Sequence, residues 1–534
     1  MSRPEPALSG RSSTVLLVLT AALLLLRLGD LPLLGPDEPR YARVAVEMHR
    51  AGEWVRPTLR GEPWLEKPVL YYWLTGAAFA VLGETETAAR LPSVAAAVIL
   101  VGTTVLLGVR LYGRAAGLHA GFILGTSPLF FVYGRAASMD MLLAACMTAG
   151  TGLLGLRLVG VAGPMAVVGA YASIALATLA KGPIGFALPA LVVGGYLAAT
   201  RQWRPIGRLV SPAGILLFLL LAAPWHLLIW LDQGPAFLRV FILDHNLARL
   251  TSTIHRHPGP FYYYLPVLLA GLFPWSGLIA PAVAVARPRR SPPDAFVLSW
   301  LLLPLALFSA AGSKLPGYVL PCLPPLALLL GQGADRMVQG EPQAVRWSRV
   351  VGWIGVVFGG LLAAAPLALA SLPEPGWVLL LPSGLWAVIV TGSVLARIRA
   401  DPAGALSLLR VGAAGLLLLL ASSVPAVLPR WQSGRHLFRG TQGREVLVWG
   451  AERAAWMSGY FYNDGRVREI RDWSDLSREA AEGSVLVLCG PSQQRTVMSA
   501  RAFSSRLLAR GPGASALLEV EGSTPAPRVS GVSP

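Results

Sequence analysis

Apolar residues fall along this chain in blocks of roughly 17–24 residues, the length a helix needs to cross a bilayer. Short charged or Pro/Gly-rich breaks separate the blocks. The pattern predicts spans near 12–30, 89–110, 115–134, 138–158, 162–180, 184–200, 209–231, 263–286, 294–311, 316–333, 350–370, 377–396 and 405–428, thirteen in all. The class is an α-helical polytopic membrane protein, and residues 1–429 form its membrane-embedded domain.

The breaks set the orientation. With the N-terminus in the cytoplasm, the inner loops hold Arg110 and Arg114; Arg201, Arg204 and Arg208; Arg287, Arg289 and Arg290; Arg336, Arg346 and Arg349; and Arg397 and Arg399. An excess of arginine on short inner loops is the positive-inside pattern. Thr14–Leu26 is followed by Arg27-Leu-Gly-Asp30 and no small-residue cleavage site, so the first span is read as uncleaved. An odd span count leaves the C-terminus outside, beside outer loops at about 31–88 and 232–262.

The pattern changes after residue 430. Short β-like runs (Glu445–Trp449, Ser484–Cys489, Leu517–Val520) alternate with helical stretches (Ser474–Ala481, Arg495–Ala509), which predicts a small extracytoplasmic α/β domain over 430–534 with a disordered C-terminal end.

Composition agrees with this reading. Of the 534 residues, 54% are hydrophobic and 14% charged, and the mean hydropathy is +0.57, whereas a soluble domain carries about 25% charge. The net charge of +17 is accounted for in large part by the inner loops, and no nucleic-acid-binding motif accompanies it. Cys146, Cys322 and Cys489 are too scattered for a disulfide framework or a zinc site.

The first outer loop carries the chemistry. It begins Gly35-Pro-Asp-Glu-Pro-Arg-Tyr41. Asp37 is placed to cap a helix with Pro39 in its first turn. Tyr41, Val44, Ala45 and Met48 then fall on one helical face and Arg40, Arg43, Glu47 and Arg50 on the other. This predicts an amphipathic helix suited to the membrane surface. Asp37 and Glu38 serve either as helix-end acids or as interfacial functional carboxylates. The loop returns through Glu62-Pro-Trp-Leu-Glu66-Lys67-Pro68 to an apolar stretch at Val69–Leu82, too short for a span and suited to a surface or re-entrant helix.

Only three of the 45 basic residues are lysines: Lys67, Lys181 and Lys314. Each falls at a predicted outer end of a span, where a compact ammonium is a natural phosphate ligand. Snorkelling alone also places cations there, most simply for Lys181. Arg135, Asp140, His245 and Arg249 gather on the same predicted face, with His255 and His257 in a polar loop. His245 fits a metal ligand, a proton carrier or a plain hydrogen-bonding residue. Trp54, Trp64, Trp73 and Trp275 suit sugar platforms or an interfacial aromatic belt equally.

These strings resemble the GT-C glycosyltransferases of the protein-O-mannosyltransferase type, and within them the bacterial lipid A aminoarabinose transferases. The resemblance rests on Asp37-Glu-Pro-Arg-Tyr-Ala42, Gly61-Glu-Pro-Trp-Leu-Glu-Lys-Pro68 with Tyr71-Tyr-Trp73, Lys181-Gly-Pro, His245-Asn-Leu-Ala-Arg249, His257-Pro-Gly-Pro-Phe261 and Ser313-Lys-Leu-Pro-Gly-Tyr318. It covers about the first 330 residues. It departs at Val69, where the family often has proline, and at Asp244, where it often has glutamate.

The resemblance implies inverting transfer from a polyprenyl-phosphate sugar donor to a lipid A or other cell-envelope glycan acceptor at the outer face of the inner membrane. Asp37 and Asp140 would be the catalytic acids. Lys67, Arg40, Tyr318 and Lys314 would bind the donor phosphate. Glu38, Tyr41, Glu66, Tyr71, His245 and Arg249 would contact substrate. The resemblance fixes no cofactor and leaves a divalent metal at Glu66 and His245 open. A protein O-mannosyltransferase-like enzyme is the nearest rival. A lipid-linked sugar transporter or flippase is a rival of another class, but it would show paired halves and polar groups at mid-membrane.

Overall fold

The computed structural model describes residues 11–241, 259–369, 381–397, 400–427, 432–441 and 443–522. It divides into two compact units. One comprises the chain up to Leu28, Met48–Thr58 and Pro63–Val424; the other comprises Gly29–Glu47, Leu59–Glu62 and the chain from Pro425 onward.

The helices begin α1 (Arg11–Leu25), α2 (Asp37–Ala51), α3 (Leu70–Leu82), α4 (Glu86–Tyr112), α5 (Arg114–Gly125), α6 (Pro128–Gly134), α7 (Asp140–Leu158), α8 (Met165–Lys181), α9 (Ile184–Thr200) and α10 (Pro212–Gln233). Further apolar helices include Pro292–Ala310, Leu323–Val338, Pro342–Leu369, Leu381–Arg397 and Pro402–Val427. Among the described residues, six helices are long and apolar enough to cross a membrane, or eight if each bent pair is one span. The chain is thus a multi-pass helical membrane protein.

Two spans expected to be straight are broken. The 115–134 segment divides into α5 and α6 with a 63° bend, and the 263–286 segment divides into Phe261–Gly271 and Trp275–Val285 with a 111° bend. In the first, Ser127 is extended (φ −81°, ψ 131°) immediately before Pro128. Proline disfavours helical geometry in the residue before it and removes a backbone donor. Pro274 stands at the second break.

Small residues let the helices approach closely. A Cβ built on Gly117 of α5 would lie 2.5 Å from the Val109 nitrogen of α4, and one on Gly108 would lie 2.6 Å from Gly117 Cα. Any side chain there would separate the two helices, since membrane helices associate through tight van der Waals packing.

Two buried arginines hold the end of α1. Arg90 Nη1 donates to the Leu28 carbonyl at 3.0 Å, and Arg135 Nη1 donates to the Leu26 and Leu23 carbonyls at 2.7 and 3.2 Å. The last carbonyls of a helix have no partner within it, and a guanidinium supplies one. Arg135, grouped by sequence with the polar residues of the outer face, therefore has a structural role here.

The second unit contains the N-terminal part of α2 and a mixed sheet. The tyrosine and valine of the apolar face, Tyr41 and Val44, are buried, as is Ala45. Arg43 pairs with Asp464 and with Glu47, and the Leu33 amide donates to the Tyr462 hydroxyl at 2.7 Å. The expectation that this helix lies with its apolar face in the membrane surface is corrected. That face is buried within the protein, because an apolar stripe is buried against whichever surface the fold presents.

After β1 (Thr58–Leu59) and β2 (Glu62–Pro63) come the strands of the main sheet: β3 (Val446–Trp449), β4 (Val467–Glu469), β5 (Val485–Cys489), β6 (Phe503–Arg510) and β7 (Ala516–Gly522). Their order is β4-β3-β5-β7-β6, parallel from β4 to β5 and antiparallel from β5 to β6. One face packs on Leu476, Ala480 and Val497, the other on Leu437, Phe438 and Tyr460. Helix Trp473–Glu482 is capped by Asp472, whose side chain accepts from the amides of Ser474 and Asp475.

The Arg495–Ala509 stretch is not one helix. The helix runs Pro491–Ser499, and Phe503–Arg510 pairs with β7. Helical propensity was outweighed by the strand pairing that covers β7.

Candidate functional site

In the membrane unit, the chemistry gathers at helix ends. Asp140 is the first residue of α7 and Lys181 the last of α8. Each charge suits the dipole at its own helix end. The two form an ion pair, with side chains 20% and 15% exposed. Ser138 donates its hydroxyl to Asp140 Oδ2 at 3.2 Å, while its oxygen accepts from the Asp140 amide at 3.1 Å. Gly182, at φ +84°, ends α8 directly after the lysine, and a Cβ there would meet Phe241 at 2.6 Å.

Lys67 is buried at 6% exposure and lies within electrostatic reach of Asp140. Lys181 Nζ also sits 5.1 Å from the ring centroid of Tyr318. One carboxylate, two ammonium groups and a tyrosine ring are thus brought together from the returning outer loop, α7, α8 and the Pro316–Cys322 turn. Lys314 is buried and donates to the Ala311 carbonyl at 2.6 Å. Beside it, the Ser313 hydroxyl is buried without a hydrogen-bond partner.

The remaining residues of the membrane unit differ in kind. Glu66 is half-buried. Tyr71 is fully buried and donates its hydroxyl to the Ala89 carbonyl at 2.8 Å, which ties α3 to α4. Trp275 is fully buried and donates to the Thr126 hydroxyl at 3.0 Å, so it is no exposed platform for a sugar. Trp73 Nε1 donates to the Trp54 carbonyl, and Trp54 is 44% exposed.

In the second unit, Asp37 stands within the first turn of α2 instead of capping it, and it pairs with Arg40. Its side chain is 52% exposed. Glu38 is buried and accepts from the Leu34 amide at 2.7 Å. Arg40 lies over the ring of Tyr41, 5.5 Å from its centroid. Asp37 and Arg40 are therefore the polar pair at this helix start, while Glu38 and Tyr41 face inward.

His245 and Arg249 lie outside the described residues, as do His255 and His257. Among the described residues, no three His, Cys, Asp or Glu side chains group as metal ligands. Glu66 thus lacks a companion set there, and no chemical step is routed through a metal. Sequence reasoning gave Lys181 the least weight of the three lysines and overlooked Ser138. The lysine had a signal in its rarity and its Lys-Gly-Pro context; the serine had none.

Residues 66–230 match the family model for dolichyl-phosphate-mannose-protein mannosyltransferase. The chain is 33% identical over 398 residues to the undecaprenyl phosphate-alpha-4-amino-4-deoxy-L-arabinose arabinosyl transferase of Pectobacterium carotovorum, covering 70% of this chain and 68% of that one. It is 30% identical over 453 residues to the enzyme of the same name from Edwardsiella ictaluri, covering 78% and 80%. This chain belongs to that arabinosyl transferase family. The transferase also has the fold of ArnT from Cupriavidus metallidurans bound to undecaprenyl phosphate, with a TM-score of 0.77 at 22% identity over 96% of this chain and 98% of that one. It is a membrane-embedded GT-C glycosyltransferase that takes its sugar from a polyprenyl-phosphate-linked donor.

Proposed function

We propose that this enzyme transfers 4-amino-4-deoxy-L-arabinose from undecaprenyl phosphate to a phosphate group of lipid A, at the outer face of the inner membrane. The donor is the one for which its relatives are named. The thirteen-span arrangement, with the N-terminus cytoplasmic and residues 430–534 outside, is part of the same reading. It is supported by the arginines of the short inner loops.

The observation that carries the proposal is the Asp140–Lys181 ion pair beside the Tyr318 ring, with Lys67 buried in the same unit. In the reaction, an acceptor phosphate oxygen attacks the anomeric carbon with inversion. The bond from that carbon to the carrier phosphate oxygen breaks, and the carrier leaves as undecaprenyl phosphate. Charge grows on the departing phosphate, and pre-placed ammonium groups stabilise it. Lys67 binds this phosphate, with Lys314, Arg40 and Tyr318 as further ligands. Asp140 holds Lys181 in place beside the Tyr318 ring. A phosphate acceptor is already a nucleophile and needs no general base. Asp37 therefore binds the amino group of the sugar and orients the anomeric carbon.

The test is a transfer assay with purified protein, polyprenyl-phosphate aminoarabinose and lipid A. A mass gain of one aminopentose is expected, lost in Lys67→Ala. No gain with wild type would overturn the substrate pair, and full activity in Lys67→Ala would overturn the phosphate role. The mannosyltransferase family match favours a second reading, transfer of mannose to protein. A mannosyl donor and acceptor peptide in the same assay would reveal it.

A further inference from the structure

The outermost strand of the soluble sheet contains an irregularity that moves one arginine. Along β6, Ser505 and Leu507 lie opposite Val520 and Leu518 of β7. Both partners belong to the face covered by helices Trp473–Glu482 and Pro491–Ser499. The pairing then shifts between Leu507 and Ala509, and Ala509 lies opposite Leu517 on the other face. Arg510 consequently lies opposite Ala516, on the same face as helix Pro491–Ser499. In regular alternation it would point to the opposite side. Bulges characteristically re-aim a side chain in this way.

The re-aimed arginine completes a groove. Arg510 and Arg495 line an open cavity of about 870 Å³, together with Pro491, Gln494 and Met498. Both arginines are exposed, and Met498 is 52% exposed. Three other arginines of this unit are matched by acids: Arg444 with Glu519, Arg468 with Glu445 and Glu479, and Arg478 with Asp475. Residues 483–518 contain Arg495, Arg501, Arg506 and Arg510 and no Asp or Glu. Among the described residues, neither Arg495 nor Arg510 pairs with a carboxylate. A concave surface with two unmatched guanidinium forks, Gln494, Thr496 and Ser499 beside Pro491 and Met498, is suited to a phosphate on a sugar headgroup.

We infer that this groove docks the phosphorylated sugar headgroup of the acceptor glycolipid. The inference rests on the proposed lipid A acceptor and extends it to a contact with the sheet-bearing unit. The guanidinium groups bind a phosphate of the disaccharide, and Met498 contacts its apolar part. The groove thereby raises the affinity for acceptor without entering the chemistry.

The experiment uses the full-length protein in detergent. Arg495→Ala/Arg510→Ala is compared with Arg506→Ala, which lies on the opposite face of the same strand. Kinetics are measured against lipid A and against donor. Binding is measured with bisphosphorylated lipid A, its dephosphorylated form and phosphatidylglycerol. The double variant should raise KM for lipid A roughly fivefold to tenfold, as expected for two exposed charge contacts. Its kcat and donor KM should hold, and Arg506→Ala should behave as wild type. Wild type should prefer bisphosphorylated lipid A, and the double variant should lose that preference. Equal binding of dephosphorylated lipid A, or equal competition by phosphatidylglycerol, would overturn the inference. If wild type transfers to lipid A and the double variant matches it, the groove alone falls. If wild type gives no product with lipid A, the acceptor assignment falls and the groove with it.

Discussion

Two acid–base pairs in this molecule look alike in sequence and differ in setting. Asp140 and Lys181 meet across two helix ends of the membrane unit, with side chains 20% and 15% exposed. Asp37 and Arg40 are three residues apart on one helix, and Asp37 is 52% exposed. The first pair is withdrawn from solvent, so removing either partner leaves a buried charge without compensation. The second is a surface pair, which contributes about 0–1 kcal/mol to stability. Its carboxylate can exchange Arg40 for a ligand at little cost. The inner pair therefore suits an electrostatic frame, and the outer acid suits substrate binding.

The difference can be broken by substitution. Asp37→Asn should reduce transfer by about 10²-fold or more, with unfolding in detergent unchanged. An Asn variant with full activity would remove Asp37 from the reaction. Lys181→Ala should abolish activity as well, and it should also destabilise the protein by about 3 kcal/mol, because Asp140 loses its partner. Asp140→Ala combined with Lys181→Ala should recover much of that stability and none of the activity. If Lys181→Ala unfolds at the wild-type midpoint, the two pairs are not different in kind.

Smaller effects sharpen the same contrast. Tyr71→Phe removes one buried hydrogen bond, to the Ala89 carbonyl, and should cost about 1 kcal/mol with kcat preserved. A fall in kcat without loss of stability would instead move the Tyr71 hydroxyl into the substrate site. The least effect is expected at Glu519 in the soluble unit. Hydrogen bonds from Arg444 and then Ser484 hold its carboxyl below its ordinary 4.5. A depressed carboxyl stabilises the folded state above its unfolded value, and that stabilisation is lost as pH falls through the folded one. Unfolding scans between pH 7 and pH 3 should show a shallower acid loss in Glu519→Gln. Parallel curves would show that this pair contributes nothing.

Much of the site was legible because its residues stand out against their surroundings. A lysine in an arginine-rich chain, or an acid beside an apolar block, is costly at membrane depth and draws attention on that ground. Lys67 and Asp140 were found in this way. Their grouping with Lys181 and the Tyr318 ring was not legible, since helix ends far apart in sequence meet only through packing. Tyr71 and Trp275 illustrate the converse. Their residue types suit sugar binding, but their polar atoms bond to Ala89 and Thr126 inside the protein.

By itself, the sequence determined the membrane class, the apolar helices and the strings that assign the family, because hydrophobic block length and rare charges are properties of the chain alone. Tertiary structure decided what covers each surface. The apolar face of α2 was read as meeting lipid, yet it is buried within the protein. Residues 503–509 were read as helix, yet they became part of a strand because β7 presented an edge to pair with. Amphipathic periodicity states that a face will be buried, and only the folded chain determines against what.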